Sequence, residues 1–147
     1  MKTLKVIFFD LGETLVTKDK QLITGVKEML DALHQKGIRL GIISNTGNLT
    51  RAEVVKMLPA DFDFSIFEEK LIVLSSEVGV EKPDLQIFRL ALAKTGITAE
   101  ECLFCTEDLV HTLVGQQIGF KTARVLPPPT SDIADLSKSL LKAQLLV

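Results

Sequence analysis

Leu4-Lys5-Val6-Ile7-Phe8-Phe9-Asp10 decides how the chain is read. Residues 4–9 are rich in β-formers and almost continuously apolar. That pattern describes a strand covered on both faces, because a half-solvated strand alternates apolar with polar positions. The run stops at a carboxylate. In an open parallel sheet the ligand site lies outside the carboxyl ends of the strands, where an acid in this position would be presented.

Outward from this strand, apolar residues recur with two periods. From Thr24 to Lys36, Val26, Met29, Leu30 and Leu33 fall at three- and four-residue intervals, and Gly37 supplies a left-handed stop, which predicts a helix. Ile38 to Ser44 is a second buried strand that leaves the sheet at Ser44-Asn45-Thr46-Gly47. Leu49–Leu58 reads as a helix and Leu71–Leu74 as a short third strand. Asp84–Thr95 is a helix with Ile87, Leu90, Ala91 and Lys94 on one face, closed by Gly96. Thr98, three residues before Glu101, has capping-box spacing. Cys102–Cys105 is the fourth strand, Leu109–Ile118 a helix stopped by Gly119, and Thr122–Leu126 the fifth strand. Beyond three prolines, Ile133, Leu136 and Leu140 define a last amphipathic helix, with Ser131-Asp132 as its cap. Strands alternating with helices at this spacing imply βαβ units. The expected fold is a three-layer, Rossmann-like α/β architecture with a mostly parallel five-stranded sheet.

Composition narrows what such a fold is for. The 147 residues have room for one core, so residues 1–147 are expected to form one domain. Hydrophobic residues are 46% and charged residues 24%, an ordinary globular balance that argues against long disorder. A net charge of -2 supplies no basic footprint for nucleic acid. The N-terminus is unlike a signal peptide, and no window approaches the ~20 apolar residues of a spanning helix, so the expectation is a cytoplasmic protein without membrane attachment. The Asn48-Leu49-Thr50 sequon carries no weight without a secretory signal. Cys102 and Cys105, three apart in a strand, point to opposite faces and read as buried thiols. A redox CxxC would open a helix, and a zinc site would need two further ligands nearby. The mean hydropathy of +0.28 hints at an apolar patch that includes Leu140, Leu141, Leu145, Leu146 and Val147. Such a patch would suit a homo-oligomer or protein partner; the alternative is a last helix packed on its own sheet.

The polar residues gather at strand ends. Asp10 follows the first strand, Ser44 ends the second, Thr106-Glu107-Asp108 follow the fourth, and Lys82 comes from a nearby loop. A carboxylate attacking phosphorus needs a cation to offset its charge, with a hydroxyl and an ammonium to hold the phosphoryl oxygens. Asp10, Ser44 and Lys82 fit those roles.

These residues resemble, in order and over about the whole chain, the signatures of the haloacid dehalogenase-like (HAD) superfamily. Phe8-Phe9-Asp10-Leu11-Gly12-Glu13-Thr14-Leu15 resembles the first motif, and Ile42-Ile43-Ser44-Asn45 the second. Ser76-Glu77-Val78-Gly79-Val80-Glu81-Lys82-Pro83-Asp84 resembles the stretch that carries the third-motif lysine in the subfamily of haloacid dehalogenases and phosphoglycolate phosphatases. The resemblance implies a magnesium-dependent hydrolase acting on phosphomonoesters. Asp10 would be nucleophile and metal ligand, Ser44 and Asn45 would bind phosphate, and Lys82 would hold nucleophile and phosphate together.

The departures are equally specific. Gly12 stands where family phosphatases carry the acid–base aspartate, whose proton transfer typically contributes 10²–10⁴-fold. Only Glu13 or water is left to substitute, although the Gly12 carbonyl can still reach a metal. In the fourth motif, Thr106 and His111 replace the usual carboxylates, and Glu107 and Asp108 lie beside the first of them. Magnesium accepts oxygen ligands of either kind, so the expected metal set is Asp10, Gly12, Glu107 and Asp108. Glu107 and Asp108 also read simply as the acidic start of a helix, and His34 as a favourable charge near a helix end.

The stretches from Asp10 to Ser44 and from Ser44 to Lys82 leave no room for a cap domain, so the site should be open. Two readings follow. One is a weak phosphohydrolase acting on a phosphorylated small molecule or a phosphoprotein. The other is a degenerate scaffold that serves as a binding or assembly module. Dehalogenation, which needs an enclosed apolar halide pocket, ranks behind both.

Overall fold

The computed structural model describes residues 2–146. The expected strands form as β1 (Val6–Phe9), β2 (Arg39–Ser44), β3 (Phe67–Leu74), β4 (Cys102–Thr106) and β5 (Lys121–Arg124), the last only partly buried and ending short of the expected Leu126. The helices are α1 (Val26–Gln35), α2 (Arg51–Met57), α3 (Ser75–Val78), α4 (Leu85–Thr95), α5 (Leu109–Ile118) and α6 (Leu136–Lys142). The strands form one sheet in the order β3-β2-β1-β4-β5, and every pair is parallel. This is the expected Rossmann-like α/β fold.

Strand β1 sits at the centre, and all four of its residues are buried. That position is why its sequence does not alternate. The chain winds outward from β1 through β2 to β3, then crosses back to β4 on the other side. Connections therefore diverge between β1 and β4, and the Asp10 N–H donates to the Cys105 carbonyl across that point at 3.1 Å. At Gly41 in β2, a Cβ would come within 2.6 Å of the Phe8 ring and 2.8 Å of the Leu71 carbonyl, so the position has no space for a side chain.

One face of the sheet is covered by α1 and α6, whose Val26, Met29, Leu30, Leu33, Leu136 and Leu140 join a core that also takes Val54 of α2. The other face carries Ile87, Phe88 and Ala91 of α4 with Phe104 and Phe120, and Phe88 meets Phe104 edge-on at 5.1 Å. Cys102 belongs to the second core and Cys105 to the first, as the strand period requires. Both are free thiols. Burial pushes both up, Cys102 to about 11.

Four further details differ from expectation. Strand β3 begins at Phe67 rather than Leu71, because its Glu68-Glu69-Lys70 stretch lies at a sheet edge and hides the apolar pattern. Helix α3 is an unexpected single turn. The buried stripe of α4 is Ile87, Phe88, Ala91 and Thr95, which rotates Leu90 outward. Asp132 does not cap the last helix: its Oδ1 accepts the Leu126 N–H at 2.8 Å, and a 3₁₀ turn at Ile133–Asp135 leads into α6. The C-terminal segment packs largely on its own sheet, with Leu140 and Leu146 buried and the Leu145 carbonyl accepting the Leu4 N–H at 2.9 Å. Leu141 is exposed, and Val147 lies outside the described residues. Between β1 and β2 the chain forms only a loop and α1. Between β2 and β3 it forms α2 and a 3₁₀ turn at Phe64–Ile66, so no cap is inserted at either place. No helix among the described residues is long and apolar enough to cross a membrane.

Candidate active site

The carboxyl rim of the sheet collects the polar residues. Asp10 emerges at the end of the central strand, where its Oδ1 accepts the Leu11 N–H at 2.8 Å and lies 3.0 Å from Lys82 Nζ. Its Oδ2 accepts the Thr106 hydroxyl at 3.3 Å. The Thr106 hydroxyl in turn accepts the Asp108 N–H at 3.2 Å, so this fully buried residue forms a neutral bridge where the resemblance places a carboxylate. The turn between β4 and α5 is pinned twice. The Glu107 N–H donates to Thr14 Oγ1 and Arg124 Nε donates to the Glu107 carbonyl, each at 3.2 Å.

Lys82 is the unusual charge. Its side chain is 1% exposed against 14% for Asp10. Burial holds the ammonium below the ordinary lysine range, opposed by the charges of Asp10, Asp108 and Glu107. At 3.0 Å from Asp10 Oδ1 the ammonium is paired with that carboxylate, which partly offsets the cost of its burial. Nζ also stands 5.4 Å from the Phe104 ring centroid. Its backbone is clamped by the Asn45 amide: Oδ1 accepts the Lys82 N–H at 2.8 Å, and Nδ2 donates to the Lys82 carbonyl at 2.9 Å. Asn45, expected at the phosphate, thus uses both ends of its amide to place Lys82.

Ser44 is buried at the end of β2, in register with Leu74. The next loop is tied to α3 by a hydroxyl cluster absent from the sequence reading. The Thr46 N–H donates to Ser75 Oγ and the Thr46 hydroxyl to Ser76 Oγ, each at 2.8 Å. Spacing gave no signal for this, because the partners lie on different elements.

The acidic side is less satisfied. Asp108 caps α5, with its Oδ1 accepting the His111 N–H at 3.1 Å and its Oδ2 3.7 Å from His111 Nε2. Burial, and then the Lys82 charge, keep the His111 imidazole below its ordinary value. Among the described residues its buried Nδ1 has no hydrogen-bond partner. Burial raises the Glu107 carboxyl, and Asp108, Asp10 and Glu13 raise it further. Glu13 holds a left-handed backbone at φ 63°, and its buried Oε1 has no partner among the described residues. Gly12 is open, with nothing within 4 Å of a Cβ placed there. One buried cation therefore faces several carboxylates that repel one another. An oxyanion beside Lys82 would share its buried ammonium with Asp10, and a hard cation would relieve the acids. Among the described residues no three His, Cys, Asp or Glu side chains form a ready-made metal cage. Magnesium does not require one, since it keeps several waters and takes one or two carboxylates with substrate oxygens.

A family model described as haloacid dehalogenase-like hydrolase matches residues 2–125. A glyceraldehyde 3-phosphate phosphatase of Pyrococcus abyssi is 33% identical over 101 residues, 68% of this chain and 40% of that protein. A ribulose-1,5-bisphosphate 5-phosphatase of Halopiger xanaduensis is 27% identical over 120 residues, 80% of this chain and 48% of that protein. The chain thus spans less than half the length of either relative. In fold it is similar to a HAD family hydrolase of Deinococcus radiodurans solved with phosphate and sodium. That likeness has a TM-score of 0.75 at 16% identity and covers 100% of this chain and 99% of the other.

Proposed function

The chain belongs to the haloacid dehalogenase-like hydrolase family, and from that premise we propose that it hydrolyses phosphomonoesters through an aspartyl-phosphate on Asp10. The observation that carries the reading is the buried Lys82 ammonium, held 3.0 Å from Asp10 Oδ1 at the carboxyl end of the central strand. A phosphoryl oxygen bound beside it shares that ammonium with Asp10, which brings phosphorus to the carboxylate. An Asp10 oxygen then attacks phosphorus, the bond to the leaving oxygen breaks, and water hydrolyses the acyl phosphate to release inorganic phosphate and restore the carboxylate. Ser44 donates to a phosphoryl oxygen, and Asn45 keeps Lys82 in place.

Members of this family generally use magnesium, and the oxygen-rich, mutually repelling acids fit it. Asp10, the Gly12 carbonyl, Glu107 and Asp108 would hold the ion. When bound, it would neutralise phosphoryl and carboxylate charge.

Turnover is expected to be slow, because Gly12 brings no acid to the leaving oxygen and Glu13 or water has to supply the proton. The same gap, together with Thr106 standing where an acid is usual, favours a second reading in which the site binds phosphorylated ligands without turnover. Phosphate release from a panel of phosphomonoesters with magnesium separates the two. Activity lost in Asp10→Asn and raised by about 10²–10⁴-fold in Gly12→Asp supports the hydrolase. Inactivity of wild type and both variants supports the binding module.

A further inference from the structure

Next to the proposed phosphate position lies a cleft of about 200 Å³ that no step above uses. It opens between the loop after β1 and helix α2, and its walls are Leu11, Val16, Leu49, Val54, Met57 and Leu58. Ser44, Asn45 and Gly12 also line it, so the cleft shares Ser44 with the proposed phosphate position. Resting on the phosphate reading of Asp10, Ser44 and Lys82, we infer that this slot holds the organic part of the substrate, and that this part is a compact apolar group, aryl or short branched alkyl.

Three features carry the assignment. First, the size suits it: an apolar cavity of about 150 Å³ is enough for one benzene ring. Second, Gly12 leaves the passage from phosphate position to slot open, since a Cβ there would have nothing within 4 Å. A side chain at this position would narrow that passage. Third, the Asn45 and Thr46 polar groups in the lining are engaged within the chain, and the Ser44 hydroxyl is assigned to the phosphate. The Asn45 amide is spent on the Lys82 backbone, and the Thr46 hydroxyl and N–H on Ser76 and Ser75. A polyol or sugar placed there would bury hydroxyls without partners, which is costly. The only ionisable side chain of the lining is the exposed Lys20, so a cationic amine on the substrate is disfavoured as well. Small-molecule sites commonly have this composition, mostly apolar with a few placed polar groups at one end.

The test is equilibrium binding of three phosphonates to the full chain with magnesium: methylphosphonate, phenylphosphonate and 2-aminoethylphosphonate. Each presents the same head group and none can be hydrolysed. Phenylphosphonate is expected to bind about tenfold more tightly than methylphosphonate, from the apolar area its ring buries, and 2-aminoethylphosphonate no more tightly. Met57→Gln, at an exposed lip, and Leu49→Asn, in the loop before α2, should each cut the phenyl preference to about threefold or less. Their affinity for methylphosphonate should not change, which also reports that they are folded. Equal binding of the phenyl and methyl ligands by wild type, with methylphosphonate bound, would overturn the slot and leave the phosphate reading standing. A phenyl preference that survives both substitutions would do the same. Failure of all three to bind would remove the phosphate reading, and the slot assignment with it.

Discussion

The charges at the amino rim of the sheet and those around Asp10 at its carboxyl rim are treated in opposite ways. At the amino rim, charges are matched. Arg39 grips Glu68 through Nε and Nη2 at 3.0 and 2.7 Å and donates through Nη1 to the Thr95 carbonyl, and Lys5 lies 2.7 Å from Glu101. The resolved shifts of the paired groups there favour the charged form: Arg39 is raised by Glu68, Glu68 is lowered by Arg39, and Glu101 is lowered to about 2 by Lys5 and Thr98. Around Asp10 at the carboxyl rim the shifts run the other way. Burial lowers Lys82 and His111 and raises Glu107. The charges of the amino rim are matched within the chain; at the carboxyl rim Arg51 and Glu77 are matched as well, at 2.7 Å, whereas the acids around Asp10 repel one another and are left open to partners from outside the chain.

The comparison is most exposed at Lys82. If this ammonium were only a poorly solvated surface charge, Lys82→Met would be nearly neutral. If it is the buried cation that holds several carboxylates in place, its loss leaves them facing one another. Breaking a buried pair by removing one partner typically costs 3–5 kcal/mol. Asp10 retains some solvent contact, which puts the expected loss at the lower end, about 3 kcal/mol. Urea unfolding of Lys82→Met against wild type, both without magnesium, measures it. A change below about 1 kcal/mol, the range of an exposed pair, would refute the buried-cation account.

The same contrast explains what the sequence disclosed. Val6–Phe9 could be placed in the middle of the sheet because continuous burial leaves a continuous apolar run, and Val26, Met29, Leu30 and Leu33 because burial on one side leaves a helical period. Glu68-Glu69-Lys70 could not be recognised as strand, since the stretch falls in a register break between the Leu40–Phe67 and Ile42–Ile72 pairs at the sheet edge and carries no apolar pattern. At the site, Asp10, Ser44 and Lys82 were visible as residue types at strand ends. Their relations were not, because they are contacts between elements far apart in the chain. The Asn45 amide on the Lys82 backbone and the Thr106 hydroxyl between Asp10 and Asp108 belong to this class. So does the slot, whose walls are also ordinary core-type residues, indistinguishable in sequence from packing.

A smaller effect tests the amino rim. Arg39→Met keeps the aliphatic stem but leaves Glu68 and the Thr95 carbonyl without the guanidinium. The pair is partly exposed, so the loss is expected at about 1–2 kcal/mol, between a surface ion pair and a buried charged hydrogen bond. Because no ligand is needed to complete this rim, saturating phosphate and magnesium should leave the increment unchanged. The corresponding Lys82→Met increment should grow under those conditions, since only wild type gains from the ligand. Unfolding with and without ligand reads both. Equal ligand dependence at the two rims would remove the distinction.

The smallest expected effect is also the one in which the rims differ in sign. Glu68 and Glu101 have folded-state values depressed below the ordinary 4.5, so they add stability that is present above pH 4.5 and lost as pH falls through their folded values, which for Glu101 is about 2. Glu107 is raised, so its ionisation costs stability at neutral pH, and protonation relieves that cost as pH falls through its folded value. Glu107→Gln should therefore stabilise the ligand-free chain at pH 7 by roughly 0.5 kcal/mol, the scale of a partly solvated charge interaction. Glu68→Gln and Glu101→Gln should instead destabilise it at pH 7 and flatten its loss of stability in acid. Thermal unfolding of the three variants between pH 3 and pH 7 decides the matter. Should Glu107→Gln prove destabilising at pH 7, the acids around Asp10 would have to be satisfied within the chain, and the carboxyl rim would be no more incomplete than the amino one.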